Sequence, residues 1–158
     1  MAKQTAGLLL YRKRSGVLEV LLAHPGGPFW AKKDLGVWSI PKGEFLEDEA
    51  PLDAARREFN EEIGTQMDGD FLELTPRKQP GGKTVHAFAV EGDLDASSAR
   101  SNLFEMEWPP KSGRMQSFPE VDRAEWFGID EARERLLKGQ LPILEELVEK
   151  IGAGSKHV

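Results

Sequence analysis

Some segments of the chain have the apolar pattern of β-strands and others have the apolar spacing of α-helices, and together they predict alternating strands and helices. Two apolar runs, AGLLLY (6–11) and LEVLLAH (18–24), flank a polar segment, which predicts a β-hairpin. Four further segments have the apolar pattern of strands: FLELTPRK (71–78), KTVHAFAV (83–90), NLFEMEW (102–108) and AEWFGI (124–129). A short extended piece, VWSIPKGEF (37–45), precedes the first predicted helix, because Pro41 disfavours helical backbone at Ile40.

The segment 50–63, APLDAARREFNEEI, has the strongest helical pattern in the chain. Pro51 is tolerated in a first turn, and Gly64 supplies a stop. Asp130 is predicted to cap a second helix that runs to about residue 138, and a third helix covers roughly 142–151. Proline and glycine predict loops at 25–36 and 109–120. This order of elements predicts an α/β fold with a mixed sheet, as one domain over 1–151 followed by a flexible tail at 152–158.

Composition narrows the classes of protein to which the chain can belong. The net charge of −6 argues against broad binding of long nucleic acid or anionic membranes, although it leaves room for a local basic patch. The chain contains no cysteine, which excludes disulfides, thiolate metal sites and a cysteine nucleophile. No segment approaches the roughly 20 apolar residues of a membrane span. We therefore expect a cytoplasmic protein, either a monomer or a homodimer.

The first predicted helix concentrates acid on one side. On a helical wheel, Glu62 lies about 40° and Glu61 about 60° from Glu58. The apolar stripe, which includes Phe59 and Ile63, lies between about 60° and 140° on the same wheel. The acidic stripe therefore borders the buried face, where repulsion between carboxylates costs more than in open solvent. From these three residues alone a solvated helix face is the favoured explanation, since acidic helix faces are common; divalent cations such as Mg²⁺ are the alternative, because they bind carboxylate oxygens and substrate phosphates.

Residues upstream of the acidic stripe favour the metal hypothesis. The string from Gly43 to Thr65, GEFLEDEAPLDAARREFNEEIGT, resembles the Nudix box, G-x5-E-x7-R-E-U-x-E-E-x-G-U, where U is bulky and apolar. The specified positions that match are Gly43, Glu49, Arg57, Glu58, Phe59, Glu61, Glu62 and Gly64. Thr65 departs from the final apolar position, which serves packing. The resemblance implies the Nudix fold, an α/β/α sandwich with a central mixed sheet.

The resemblance also implies an activity: hydrolysis of a phosphoanhydride bond in a nucleoside di-, tri- or polyphosphate-type substrate by metal-activated water. The cofactor would be Mg²⁺, with Mn²⁺ as a substitute. Glu58 and Glu62 would be the main metal ligands, with Glu61 and the carbonyl of Gly43 as further ligands. Either Glu58 or Glu61 could act as the base. Glu49 and Arg57, which pair in the family, would support the site structurally.

Other residues are candidates outside the box. Glu120, six residues before Trp126, has the spacing of an additional metal-ligating glutamate in some Nudix enzymes, so it would be an outer ligand or base. A solvated loop acid is the alternative. Glu105 and Glu107 alternate on a predicted strand and are weaker candidates, because exposed strand positions explain them. His24 is expected at a polar strand edge, and His86 is expected to point outward or into a pocket.

The substrate is less well defined by the sequence. Lys42 is expected to meet a phosphate, while Trp30 would stack on a base and Lys33 and Arg114 would meet a polyphosphate. Ordinary loop packing explains these residues as well. The lead-in WSIPKGE resembles both bacterial nucleoside-triphosphate pyrophosphohydrolases and diadenosine polyphosphate hydrolases. Net acidity favours a free nucleotide as the substrate. A non-catalytic Nudix-fold module that binds nucleotides or protein is the competing hypothesis, as is a plain acidic structural domain.

Overall fold

A mixed β-sheet lies at the centre of the structure, a computed structural model that describes residues 3–152. Its helices are α1 (Pro51–Ile63), α2 (Ile129–Arg135) and α3 (Leu141–Leu147), and α3 continues as a π-helical turn, Val148–Gly152. Short 3₁₀ turns occupy Ala96–Ser98 and Lys138–Gln140. The strands are β1 (Gln4–Arg14), β2 (Val17–Pro25), β3 (Lys42–Phe45), β4 (Leu72–Glu73), β5 (Arg77–Lys78), β6 (Thr84–Glu91), β7 (Leu103–Glu107), β8 (Met115–Pro119) and β9 (Val121–Gly128).

The long strand β1 organises the sheet, whose strand order is β4-β6-β1-β2-β9. On one side β1 runs parallel to β6, with Gln4 opposite Thr84. On its other side β1 pairs first with β3 and then with β2, both antiparallel. This split brings β3, the end of β2 and the starts of β6 and β9 to one end of the sheet. The strand order therefore brings residues from distant parts of the chain together at this end of the sheet.

Helices cover both faces of the sheet. Phe59 and Ile63 of α1 are fully buried against one face, together with Leu8 and Leu10 of β1. On the opposite face α2 and α3 bury a second apolar cluster that includes Trp38. The predicted α/β class and the α/β/α sandwich with a central mixed sheet are confirmed by this arrangement.

Several predicted element boundaries were wrong. The run 71–78 forms two two-residue strands, β4 and β5, because Pro76 interrupts it; both pair with β6. The predicted loop 109–120 contains β8, which pairs with β7 in a separate two-stranded sheet. Asp130 does not cap α2: the N-cap is Gly128, Asp130 lies in the first turn, and the helix ends at Arg135.

The predicted tail falls mostly outside the described residues. Gly152 ends the π-helical turn after α3, and residues 153–158 are not among those described. Among residues 3–152, no helix has the length and apolarity needed to span a membrane.

A buried carboxylate, Glu146, connects α3 to the segment between β4 and β5. It accepts hydrogen bonds from the backbone N–H and hydroxyl of Thr75, at 3.0 Å each, and it pairs with Arg77 at 3.1 Å and Lys150 at 3.2 Å. Burial raises the pKa of Glu146, but these hydrogen bonds outweigh burial and lower the pKa to about 2. The ionised form therefore stabilises the fold.

We expect Glu146→Gln to lower the free energy of unfolding by about 1–3 kcal/mol at pH 7, because Gln cannot replace the charge-assisted hydrogen bonds. A carboxylate with a depressed folded-state pKa stabilises the fold above its unfolded pKa, and that stability is lost as pH falls through the folded-state value. The difference between wild type and variant should therefore narrow as pH falls from about 4.5 toward 2.

Denaturant unfolding at neutral and acid pH measures this difference. Glu149→Gln is the matched control, because Glu149 is an exposed glutamate close to Glu146 in the chain. A penalty of equal size in both variants would contradict the assigned role of Glu146.

Candidate active site

The acidic stripe of α1 lies at the margin of the buried core. Phe59 and Ile63 anchor the helix on the sheet, and Gly64 caps its C-terminal end with a left-handed backbone (φ 83°) and an N–H that donates to the carbonyl of Asn60. The side chain of Glu58 is only 13% exposed, whereas that of Glu61 is 39% exposed. Burial and repulsion from Glu61 raise the pKa of Glu58. The three glutamates therefore do not share one environment.

Arg57 connects the acidic stripe to the loop before α1. Its guanidinium donates two parallel hydrogen bonds to Glu49, both 2.9 Å long. The remaining terminal nitrogen donates to Glu58 at 2.8 Å and to Glu61 at 3.2 Å. The hydrogen bonds from Arg57 lower the pKa of the Glu49 carboxyl. One cation thus neutralises part of the charge of three carboxylates and fixes the loop against the helix.

Gly43 lies directly against the carboxylate of Glu58. It belongs to β3, where it pairs with Ala6 of β1. A Cβ atom at this position would lie 2.1 Å from the carboxylate carbon of Glu58. Any residue other than glycine would therefore displace that carboxylate. Glycine is therefore required here for the close approach of the α1 glutamate to the backbone of β3.

Glu62, Lys42 and Glu120 line one small cavity of about 130 Å³, which we call the glutamate cavity. The rest of its wall includes Pro25 of β2 and Ser39. Burial, followed by the negative charges of Glu58 and Glu120, raises the pKa of Glu62 to about 8 against the opposing effect of Lys42. Burial also lowers the pKa of Lys42. The cavity therefore holds ionisable groups that are poorly solvated and close in space.

The backbone around Glu120 ties this residue to α1 and to the loop after β2. The N–H of Glu120 donates to the carbonyl of Asn102 at 2.9 Å, and its carbonyl accepts from Gly26 at 2.9 Å. Asn102 in turn donates its N–H to the carbonyl of Glu61 at 2.8 Å. Glu120, which lies far from the box in sequence, thus lies beside the box glutamates in space.

A divalent cation suits the chemistry of this cluster, although its side chains must reorient to bind one. Among residues 3–152, no three or more His, Cys, Asp or Glu side chains converge as a ready metal site. Glu58 and Glu61 point to Arg57, while Glu62 faces Lys42 in the glutamate cavity. Burial first, and repulsion from neighbouring carboxylates second, raise the pKa values of Glu58 and Glu62, and a bound cation would oppose both effects. Carboxylate oxygens beside a backbone carbonyl form the donor set that Mg²⁺ and Mn²⁺ prefer.

A larger cavity of about 560 Å³ adjoins the glutamate cavity, and Lys42 lines both. Its wall comes from the starts of β1 and β6 and from the turn before α3, including Thr5, Val85, Leu137 and Gln140. It is mainly apolar, with Lys83 and Lys138 also in its wall. The size and lining are typical of a pocket for a small organic molecule.

Three predicted substrate-binding residues lie away from both cavities. Trp30 and Lys33 are in the loop after β2, where the Lys33 ammonium lies 5.2 Å from the centre of the Trp30 ring. Arg114 precedes β8 in the β7–β8 hairpin. All three side chains are exposed, and none lines the glutamate cavity or the larger cavity. The structure therefore groups Lys42 with the candidate catalytic residues and leaves the other three outside both cavities, on the loop after β2 and the β7–β8 hairpin.

The expectation of a polar strand edge for His24 was wrong. The imidazole is fully buried, because β2 is an inner strand flanked by β1 and β9. Its Nε2 donates to the carbonyl of Lys33 at 2.6 Å, and its Nδ1 lies 2.8 Å from the carboxylate of Asp122. His24 thus connects the loop after β2 to β9. The apolar run that precedes His24 was the available signal of burial.

His86 and the hairpin glutamates have local partners. His86 Nε2 lies 2.6 Å from the side-chain oxygen of Gln4, and the ring packs against Phe45. Glu107 accepts hydrogen bonds from the backbone of Lys111 and Gly113 at the hairpin tip, and Glu105 is exposed. Neither glutamate lines the glutamate cavity.

Comparison with known proteins places this site in a family. A NUDIX domain model matches residues 1–147. Over 55 residues the chain is 40% identical to an RNA pyrophosphohydrolase from Xylella fastidiosa (strain 9a5c), a match that covers 34% of this chain and 28% of that relative. The chain therefore aligns with well under half of the length of that curated relative.

Solved structures share the fold at low sequence identity. The NUDIX domain of NrtR from Shewanella oneidensis, solved with ADP ribose, matches with a TM-score of 0.66 and 16% identity over 96% of this chain and 89% of that one. A MutT/nudix family protein from Enterococcus faecalis matches with a TM-score of 0.55 and 17% identity over 81% of this chain and 44% of that one. The box residues, the sandwich fold and the family match over residues 1–147 agree, and the chain belongs to the Nudix family.

Proposed function

We propose that this protein hydrolyses a phosphoanhydride bond in a nucleoside di-, tri- or polyphosphate-type substrate and depends on Mg²⁺ or Mn²⁺. The observation that carries the proposal is the glutamate cavity: Glu62, Glu120 and Lys42 meet there, with Gly43 and Glu58 alongside. The partial match to an RNA pyrophosphohydrolase supports the same reaction class. Cleavage of a phosphoanhydride requires charge neutralisation on the phosphates and a positioned water, and these residues suit both needs.

Glu58, Glu62 and Glu61, with the carbonyl of Gly43, would hold the cation. When bound, the cation supplies charge neutralisation on the phosphates and makes water more acidic. Arg57 would set the starting positions of Glu58 and Glu61, since it contacts both and is itself fixed by Glu49. The partial burial of Glu58 supports its assignment as a ligand, because a desolvated carboxylate gains most from a cation.

Glu120 is the residue that we favour as the base or outer ligand. Its backbone is held from two sides, and its side chain enters the same cavity as Glu62. Lys42 would donate a hydrogen bond to a substrate phosphate, since it lies between the two cavities. The larger cavity would accept the nucleoside, so that the diphosphate extends from it toward the glutamates.

A panel of substrates tests the reaction. Nucleoside triphosphates, nucleoside diphosphate sugars, dinucleoside polyphosphates and a 5′-triphosphorylated oligonucleotide would be incubated with Mg²⁺ or Mn²⁺, and the products identified. Hydrolysis in ¹⁸O-labelled water shows which phosphorus is attacked. Cation-dependent release of a phosphate product is expected. Thermal stabilisation by nucleotides without hydrolysis of any substrate would instead favour the non-catalytic binding module.

We expect Gly43→Ala to reduce kcat/KM by roughly 10–100-fold, a loss common for residues that orient metal ligands. The new methyl group would push the Glu58 carboxylate from its position, and this flexible side chain can move without unfolding the protein. The melting temperature should therefore change little. Gly128→Ala is the control, because a Cβ at Gly128 meets no atom within 4 Å. Unaltered activity in Gly43→Ala would argue against a role for Glu58 in the site.

A further inference from the structure

Two exposed segments meet beside the glutamate cavity and form a surface that we call the distal face. Its aromatic residues are Phe29 and Trp30 of the loop after β2 and Trp108 of the β7–β8 hairpin. The rings of Phe29 and Trp108 lie 5.3 Å apart in an edge-to-face arrangement. Phe29 is 57% exposed and Trp30 is 39% exposed. Phe29 and Trp108 therefore hold each other in place, while much of the surface of Phe29 and Trp30 remains open to a ligand.

The same two segments carry cations without acidic partners. Lys32 and Lys33 follow Trp30, and Lys111 and Arg114 follow Trp108; all four are exposed. Among the ion pairs of residues 3–152, none involves these four side chains, and Lys33 lies over the ring of Trp30. The chain has a net charge of −6, so this local excess of positive charge next to aromatic rings is opposite in sign to the charge of the protein as a whole.

The distal face is continuous with the candidate active site. The loop leaves β2 through Gly26, whose N–H donates to the carbonyl of Glu120. The start of the hairpin is held against α1 by Asn102, whose N–H donates to the carbonyl of Glu61 and whose carbonyl accepts from Glu120. Near the base of the two segments, Gly27 packs on Phe104 of β7, where a Cβ would lie 3.1 Å from the ring. A ligand on the distal face can therefore extend into the glutamate cavity.

The strand order places the distal face and the larger cavity on opposite sides of the glutamates. The larger cavity involves β1 and β6, whereas the distal face grows from β2 and from the chain just before β9. Three strand spacings separate β6 from β9, or about 14 Å at roughly 4.8 Å each. A substrate with a nucleoside at each end of its phosphates would have room on both sides of Lys42.

We propose that the distal face binds a second nucleotide unit of the substrate, with its base stacked on Trp108, Trp30 or Phe29 and its phosphate held by the neighbouring cations. This inference rests on the proposed function, because it names the class of substrate for that site. Aromatic rings bind bases of any sequence by stacking, and unpaired cations bind phosphate oxygens. The second unit belongs either to a dinucleoside polyphosphate or to the next nucleotide of a 5′-triphosphorylated RNA strand.

Kinetics with substrates of one and two nucleotide units test the proposal. The substrates are a nucleoside triphosphate, a dinucleoside tetraphosphate and a 5′-triphosphorylated trinucleotide RNA. In Trp108→Ala, the ratio of kcat/KM for a two-unit substrate to that for the one-unit substrate should fall about 10-fold, mainly through KM. Trp108→Phe should restore most of the ratio, since it keeps a stacking ring. The two-unit substrate whose ratio falls identifies the source of the second nucleotide.

The role of the distal-face cations in binding phosphate is tested with a matched pair of variants. Arg114→Gln should lower the same ratio, and the effect should shrink at high salt, because the contact is to phosphate. Lys13→Gln is the control, because Lys13 is an exposed cation near the end of β1 and should leave the ratio unchanged. A ratio that stays constant in Trp108→Ala and Arg114→Gln for both two-unit substrates overturns the proposal.

Binding without hydrolysis separates this proposal from the proposed function. A fluorescently labelled 5′-monophosphorylated trinucleotide RNA contains no phosphoanhydride, so its binding does not depend on turnover. We expect weaker binding to Trp108→Ala than to wild type or Lys13→Gln. Equal binding to all three proteins overturns the distal site even if the substrate panel is hydrolysed. Absence of hydrolysis from the whole panel, with this binding difference intact, overturns the proposed reaction and leaves a nucleotide-binding surface.

Discussion

The Glu62→Gln variant is expected to lose kcat/KM by on the order of 10²–10³-fold, the loss common when one group that stabilises transition-state charge is removed. Gln keeps the size of the side chain but removes its charge. The fold should be retained, because Glu62 borders the core without being part of its apolar packing, which depends on Phe59 and Ile63. The measurement is cation-dependent hydrolysis of the best substrate, with circular dichroism and melting temperature as checks of folding.

The control for this variant is Glu73→Gln, because Glu73 is an exposed glutamate at the end of β4 and lies outside the glutamate cavity. It should retain wild-type activity. Turnover by Glu62→Gln at the wild-type rate would refute the assignment of Glu62 as a metal ligand. A parallel loss in Glu120→Gln with normal cation affinity would support Glu120 as the base, since a base changes kcat more than metal binding.

The metal-free protein is expected to lose stability as pH rises from about 4.5 to 8. Burial and neighbouring negative charge raise the pKa of Glu62 to about 8 in the folded protein. A carboxyl with a raised folded-state pKa stabilises the fold fully below its unfolded pKa, and that stability is lost as pH rises through the folded-state value. The shift corresponds to on the order of 5 kcal/mol in the free energy of unfolding.

Urea unfolding in the presence of a chelator measures this effect across the pH range. Glu62→Gln should lack the decline, because Gln remains uncharged, and it should therefore be more stable than wild type near pH 8. Mg²⁺ at 100 times its dissociation constant should raise the stability of the wild type at pH 8 by about 2.7 kcal/mol, because it binds the folded state. A wild-type curve that is flat between pH 5 and 8 would contradict the desolvated state assigned to Glu62.

The elements with strong local signals could be predicted from the sequence. The first helix was predicted at 50–63 and is observed at Pro51–Ile63, because apolar periodicity, Pro51 and Gly64 all indicate the same boundaries. The hairpin of β1 and β2 and the strand β6 were predicted from their apolar runs. The strand β8 was missed, because its residues, MQSFP, are mostly exposed and have no apolar alternation. This strand forms because it pairs with β7, and the local sequence does not indicate such a pairing.

The candidate site was partly predictable. The resemblance to the Nudix box implied that Gly43 of β3 and the glutamates of α1 would be close together. It did not indicate that Arg57 bridges Glu58 and Glu61 as well as Glu49, because guanidinium orientation depends on the local acids. Nor did it reveal that Trp30, Lys33 and Arg114 lie outside both cavities. Loop paths depend on tertiary contacts such as the one between His24 and Asp122, which joins distant segments of the chain.

The split pairing of β1 has a consequence for how the chain folds during synthesis. Its parallel partner β6 extends to Glu91, and the outer partner of β2, which is β9, extends to Gly128. The nascent hairpin of β1 and β2 therefore emerges from the ribosome long before the strands that cover its edges. Long-range pairing of this kind folds slowly and leaves strand edges exposed to aggregation. The hairpin is thus the segment at which chaperone binding or misassembly would begin.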